Sequence, residues 1–126
     1  MIKDFLILNF IGEENKIGLK INNNFYIHDF DKKTDNDQIV LSVLNMVKKY
    51  KVNIDNKFSI LVNCGPGSFS SLRASIAAAK GIKISNKTTL YGFTNSDLGQ
   101  FNLVNIELLI ENKLVQKNLI KPIYLS

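Results

Sequence analysis

Few of the 126 residues could do nucleophilic or metal chemistry: the chain has one thiol, Cys64, and one imidazole, His28. A thiolate needs a base or cationic neighbour to be reactive. His28 lies on an alternating stretch far from Cys64 in sequence, so Cys64 reads as a small buried thiol at a strand end. A single cysteine cannot pair within the chain, and a reducing compartment, the cytoplasm, is the expected location. One His and one Cys cannot assemble the ligand sets that hold zinc. Asp35 and Asp37 resemble paired acids, but no motif places another carboxylate, His or metal ligand beside them, and they read as helix-opening residues. No catalytic, cofactor-binding or metal-binding residue is therefore assigned, and no cofactor is expected.

The remaining segment with chemical potential is Val62-Asn63-Cys64-Gly65-Pro66-Gly67-Ser68-Phe69-Ser70-Ser71-Leu72-Arg73. Glycines on either side of Pro66 make a tight turn, and Ser at 68, 70 or 71 can cap a following helix. Two readings stay open. Backbone N–H groups at a helix N-terminus form a cradle that suits phosphate. The same residues also make an ordinary, well-capped strand-to-helix turn, and the Gly-Lys-Ser/Thr ending of a nucleotide-binding P-loop is absent.

The elements that position this segment follow from period and punctuation. Phe5 to Phe10, Ile17 to Ile21 and Phe25 to Phe30 are rich in β-formers and separated by turn residues, among them Asn22-Asn23-Asn24, which predicts an antiparallel meander. Asp35 with Gln38 resembles a capping box opening a helix that runs to about Tyr50. A strand over Phe58 to Asn63, a helix over about Ser70 to Ile84 and a strand over Thr89 to Phe93 follow. The tail carries two β-like stretches, Leu103 to Ile110 and Leu114 to Leu119. The order β-β-β-α-β-α-β predicts an α/β fold of the actin-like, ribonuclease-H-like half-domain type, a mixed sheet with a short β tail. No linker divides residues 1–126, which are expected to form a single domain.

Taken as a string, Gly65-Pro66-Gly67-Ser68-Phe69-Ser70-Ser71-Leu72-Arg73, followed by Ala77-Ala78-Ala79-Lys80-Gly81, resembles the signature of the TsaB (YeaZ) family. That signature usually reads Gly-Pro-Gly-Ser-Phe-Thr-Gly-Leu-Arg and then Ala-x-Ala-Lys-Gly. The likeness is specific over about residues 58–97, with Leu90-Tyr91-Gly92-Phe93-Thr94-Asn95-Ser96 also fitting, and rests on element order over 1–57. Lys121-Pro122-Ile123-Tyr124-Leu125 looks like the Pro-Val-Tyr-Leu ending of longer members, which makes 97–126 a remnant of their second lobe. The resemblance implies a non-catalytic subunit that binds and activates a TsaD-type paralogue, which transfers threonylcarbamoyl to adenosine beside the tRNA anticodon. A TsaE-type ATPase and tRNA would be reached through that complex.

Two departures from the family pattern bear on chemistry. Its first strand usually ends in Asp-Thr-Ser, where this chain has Asn9-Phe10-Ile11-Gly12, and an uncharged Asn offers little to a Mg²⁺-bound phosphate. The usual Thr-Gly is Ser70-Ser71, which keeps a hydroxyl and loses a glycine.

The two predicted helices point to a partner. All four alanines fall in the second: Ala74, Ala77 and Ala78 with Gly81 share one face at i, i+3, i+4 and i+7, a small-residue strip, while Leu72, Ile76, Ala79 and Ile82 or Lys83 lie on another side and can cover the sheet. The strip could receive the chain's own first helix, another protein, or both. In that first helix Ile39, Val43, Met46, Val47 and Tyr50 form an apolar stripe, and Val40, Leu41 and Leu44 extend beyond the width expected of a surface helix. By resemblance these helices are the docking surface for the TsaD-type partner, with Val40, Leu44, Val47, Ala74, Ala77, Ala78 and Gly81 at the interface. The same face could pair two copies when the partner is absent. Arg73, the single arginine, suits a bidentate carboxylate contact or an ordinary surface position.

Net charge is +5, with fifteen Lys. These lysines are scattered and not interleaved with aromatics, so a small basic RNA-binding module is an alternative function, as is a degenerate actin-like phosphotransferase or peptidase-like enzyme. Mean hydropathy of +0.02 fits a globular chain. The apolar run Phe5 to Leu8 is far too short for a membrane span or an export signal, and no membrane association is expected.

Overall fold

The computed structural model describes residues 2–11, 14–30, 36–53, 57–67, 69–86, 88–117 and 120–123. Five strands form one sheet in the order β3-β2-β1-β4-β5: β1 Asp4–Phe10, β2 Asn15–Ile21, β3 Asn24–Phe30, β4 Phe58–Asn63 and β5 Thr89–Phe93. The first three run antiparallel, with Leu8 opposite Ile17 and Gly18 opposite Ile27. β1, β4 and β5 are parallel, with Leu6 beside Ile60 and Ile60 beside Leu90. Asn22 and Asn23 at φ 50° and 68° make the β2–β3 turn, a conformation Asn tolerates better than most residues.

Parallel neighbours need crossovers, and α1 (Asn36–Lys49) and α2 (Phe69–Asn86) supply them. Both helices cover one sheet face. Alternate residues of β1 explain how: Leu6, Leu8 and Phe10 meet Ile39, Val43 and Met46 of α1 and Leu72, Ile76, Ala79 and Ile82 of α2 in one buried cluster. Phe5 and Ile7 point the other way. The mixed sheet and its helical crossovers give the α/β fold predicted, of the actin-like, ribonuclease-H-like type. Within α1 the predicted capping pair Asp35/Gln38 has its first member outside the described residues.

The tail departs from expectation. Leu103 to Ile110, read as β-like, forms helix α4 (Leu103–Glu111), preceded by the short helix α3 (Asn95–Leu98). Asn102 caps α4 by accepting from the Asn105 backbone N–H at 2.8 Å. Ile106 and Leu109, three apart, are buried with Leu98 and Phe101 against Phe5, Ile7 and Leu61. A strand would have sent Ile106 and Leu109 to opposite sides, whereas a helix puts both on the uncovered sheet face. Each buried aliphatic side chain there contributes about 1.5–3 kcal/mol. Of the described part of the second β-like stretch, residues 114–117, Gln116 pairs with a strand, through an antiparallel bridge to Gly92 on β5.

Candidate functional site

Parallel strands deliver their carboxyl ends to one edge of the sheet, where ligand sites of such folds gather. Here that edge holds Asn9 at the end of β1, Asn63 at the end of β4 and Asn95 at the start of α3. Asn63 is fully buried and Asn9 nearly so. The Asn63 amide donates to Asn9 Oδ1 at 2.7 Å and to Asn95 Oδ1 at 3.4 Å, and its own Oδ1 accepts from the Gly65 N–H at 2.9 Å. Asn9 Nδ2 donates to the Glu14 carbonyl at 2.9 Å. The three amides thus form a neutral network whose polar atoms hold the chain to itself. A buried carboxylate in the same place would need a metal or a cation. The sequence marks Asn9 as a departure from the usual Asp; it does not mark Asn63 and Asn95, because nothing distinguishes them among sixteen asparagines until the strands align.

In the loop after β4 the backbone N–H groups of Cys64, Gly65 and Gly67 all have partners within the chain. The Cys64 N–H bonds the Phe93 carbonyl at 2.8 Å, Gly65 N–H is taken by Asn63, and Gly67 N–H by the Ile123 carbonyl at 3.2 Å. Ile123 N–H returns to the Cys64 carbonyl at 2.7 Å, and Asn95 N–H binds the Gly65 carbonyl at 2.9 Å. These amides are engaged by Asn63, by the chain's own tail and by β5, so residues 64–67 form a laced turn, and a backbone cradle for phosphate is confined to the first turn of α2 beyond it. The glycines are demanded by the same lacing. Gly65 has φ +103°, and a Cβ there would stand 2.5 Å from the Ile123 carbonyl; at Gly67 it would stand 2.8 Å from the Ile11 carbonyl. The Gly65–Pro66 peptide is cis. Pro66 is exposed and Phe69 opens α2, while Ser68 lies outside the described residues, as do Tyr124 and Leu125 of the closing motif. Arg73 is exposed in the second turn of α2.

Cys64 is fully buried, and its thiol is pushed up from its ordinary pKa chiefly by that burial, against the lowering effect of backbone hydrogen bonds and of Lys80. A thiol held protonated is a poor nucleophile. His28 sits on β3, tilted against Phe30 at 4.6 Å between ring centroids. Among the described residues, no group of three or more His, Cys, Asp or Glu is placed to hold a metal ion. No helix is long and apolar enough to cross a membrane, again among the described residues.

The other assembly lies on the far side of the helices. α1 and α2 pack side by side and leave between them a groove of about 430 Å³, lined by Val40, Val43, Leu44, Ala77, Ala78, Gly81 and Ile82. Every lining residue is apolar. Val40 is 40% and Leu44 52% exposed, and Leu41 beside them 58%. The breadth of the first helix's apolar surface, read from sequence, thus corresponds to side chains left uncovered. The small-residue strip also does what its spacing allowed: Ala77 and Gly81 are exposed, Ala74 and Ala78 half-buried, and a Cβ added at Gly81 would meet nothing within 4 Å. Val47 is half-buried at the edge of the core, outside the groove lining.

No family model matches the sequence, and no curated protein matches it significantly. Solved structures do match. YeaZ from Pseudomonas aeruginosa superposes with a TM-score of 0.65 at 16% identity, covering 88% of this chain and 50% of that one. A crystal structure described as an uncharacterized protein with similarity to peptidase YeaZ, also from Pseudomonas aeruginosa, gives 0.63 at 17% identity, covering 76% and 44%. At such identities the likeness is one of fold. The chain spans about half the length of the structures it matches.

Proposed function

We propose that this chain is a non-catalytic, TsaB-type subunit that binds and activates a TsaD-type partner in threonylcarbamoyladenosine modification of tRNA. The observation that carries the reading is the open groove between α1 and α2, an uninterrupted apolar surface with a floor of Ala77, Ala78 and Gly81. A monomeric domain gains nothing from leaving Leu41 and Leu44 half in water beside such a floor. Small residues let a second pair of helices approach closely, so a four-helix contact would bury the patch from both sides. Two further features support the reading: the YeaZ-like fold and the signature string Gly65 to Arg73.

A supporting role without chemistry of its own fits the sheet edge. Asn9, Asn63 and Asn95 supply no charge to organise a metal-bound phosphate, and the amides at 64–67 are committed internally. A TsaE-type ATPase and tRNA belong to this proposal as partners met through the complex.

The test is co-expression with the TsaD-type protein of the same genome, followed by size-exclusion chromatography with light scattering. The wild type is expected to elute as a heterodimer. Ala78→Glu, which places a carboxylate in the groove on a helix that tolerates Glu, is expected to elute alone while keeping its far-ultraviolet circular dichroism. A heterodimer unaffected by Ala78→Glu would remove the groove from the interface; a wild type that ignores the partner would remove the function.

A further inference from the structure

A second groove, with a different chemistry, opens on the other flank of α2. About 430 Å³ in volume, it is lined by Lys80, Lys83 and Ile84 of α2, Leu90 of β5, and Lys117, Ile120 and Lys121 of the tail. Its middle is aliphatic and its rim cationic. Ile84 is 81% exposed, the most exposed of the large hydrophobic side chains described, and Leu90 and Ile120 continue inward from it to the core. All four lysines are exposed, and among the described residues no acidic side chain lines the groove. Among the described residues none of the four makes a salt bridge; Lys117 lies over the Tyr91 ring, 5.8 Å from its centroid.

Four like charges around one aliphatic floor repel one another, and the arrangement favours whatever brings carboxylates to the rim and apolar side chains to the floor. We propose that this groove docks an acidic amphipathic segment of another protein. Aliphatic side chains of that segment cover Ile84, Leu90 and Ile120, and its carboxylates meet Lys80, Lys83, Lys117 and Lys121. A nucleic acid is the poorer fit: it would neutralise the lysines but leave the aliphatic floor wet, and among the described residues the floor itself carries no aromatic ring for a base to stack on. An anionic bilayer is poorer still, because the surface is concave. The groove shares no residue with the one between α1 and α2, so this proposal does not depend on the TsaD-type reading.

The experiment is selection of a peptide-display library on the full chain, followed by fluorescence anisotropy with the synthesised winner at low and high salt. Selected peptides are expected to combine Asp/Glu with Leu/Ile/Val at helical spacing. Lys83→Glu/Lys121→Glu and Ile84→Glu, at exposed positions that leave the fold intact, are each expected to weaken binding at least tenfold. Lys3→Glu/Lys48→Glu, the same charge change away from the groove, is expected to shift it less than twofold, and Ala78→Glu not at all. Three results would overturn the proposal: peptides without acidic enrichment, equal loss in the distant double variant, or no peptide binding. The last would be pursued with a 20-nucleotide RNA and vesicles containing 30% phosphatidylserine, and capture of either that depends on Lys83 and Lys121 would assign the groove to that class instead.

Discussion

Replacing Asn63 by Asp changes one buried NH₂ into an oxygen and tests whether the sheet edge is built for neutrality. In the wild type Asn63 Nδ2 donates to Asn9 Oδ1 and Asn95 Oδ1, at 2.7 and 3.4 Å, with no exposure to water. The Asn63→Asp chain loses both donors and turns a carboxylate toward two carbonyl oxygens. Losing two hydrogen bonds costs about 1–3 kcal/mol. An uncompensated buried charge raises the total to about 3–5 kcal/mol at neutral pH, a large part of a small domain's stability. The sign of the pH dependence follows. Burial raises the folded-state pKa of the introduced carboxyl above its unfolded value of about 3.9, so the unfolded chain gives up its proton first as pH rises. The charge-dependent part of the destabilisation is therefore small near pH 4 and grows through the interval up to the folded-state value. Urea denaturation of wild type and Asn63→Asp at pH 4.5 and 7.5 measures it. A loss below about 1 kcal/mol at pH 7.5, or one of equal size at both pH values, would refute the neutral-network account.

Three other outcomes are expected. Gly65→Ala must adopt φ +103° and push Ile123 off the loop, which costs about 2–4 kcal/mol by urea denaturation and exposes the 120–123 segment to limited proteolysis; a shift under about 1 kcal/mol would mean that the tail does not lace the turn. Gly81→Ala is expected to stabilise the isolated chain by about 0.5–1 kcal/mol, since its Cβ points into open space, and to weaken the proposed complex with the TsaD-type partner by filling the groove floor; a thermal melt and a pull-down separate the two effects. Cys64, with its pKa raised by burial, is expected to react with a thiol reagent only on unfolding. Stability should fall as pH rises from the unfolded thiol's value of about 8.5 toward the folded one, and Cys64→Ala should flatten that slope; an unchanged slope would assign it to other groups.

Much of the fold was legible because its signals are local. The alternation of β1, the Asn-Asn-Asn turn and the Gly-Pro-Gly punctuation each act within a few residues, and the observed strands and helices follow them to within one or two positions. The tail differs for a physical reason. Leu-Val-Asn-Ile-Glu-Leu-Leu-Ile is a short aliphatic run whose period does not separate strand from helix, and the decision came from an uncovered sheet face that wanted Ile106 and Leu109 on one side. Asn102 as a cap was the available signal.

At the candidate sites the division is sharper. Residue types by themselves set which reactive side chains the chain can offer, since one Cys, one His and an Asn near the end of β1 are fixed whatever the fold, and helical spacing alone collected Ala74, Ala77, Ala78 and Gly81 on one face. Only the tertiary structure decided that the 64–67 amides are spent on Ile123, Asn63 and Phe93. It alone brought Asn9, Asn63 and Asn95 together from three separate segments. The lysines of α2 and of the tail, more than thirty positions apart, likewise surround one groove only because the chain crosses the edge of β5 at Gln116 and returns. Hydrogen-bond partners and long-range charge clusters depend on distances across the fold, and sequence spacing carries no information about those until the sheet has set its register.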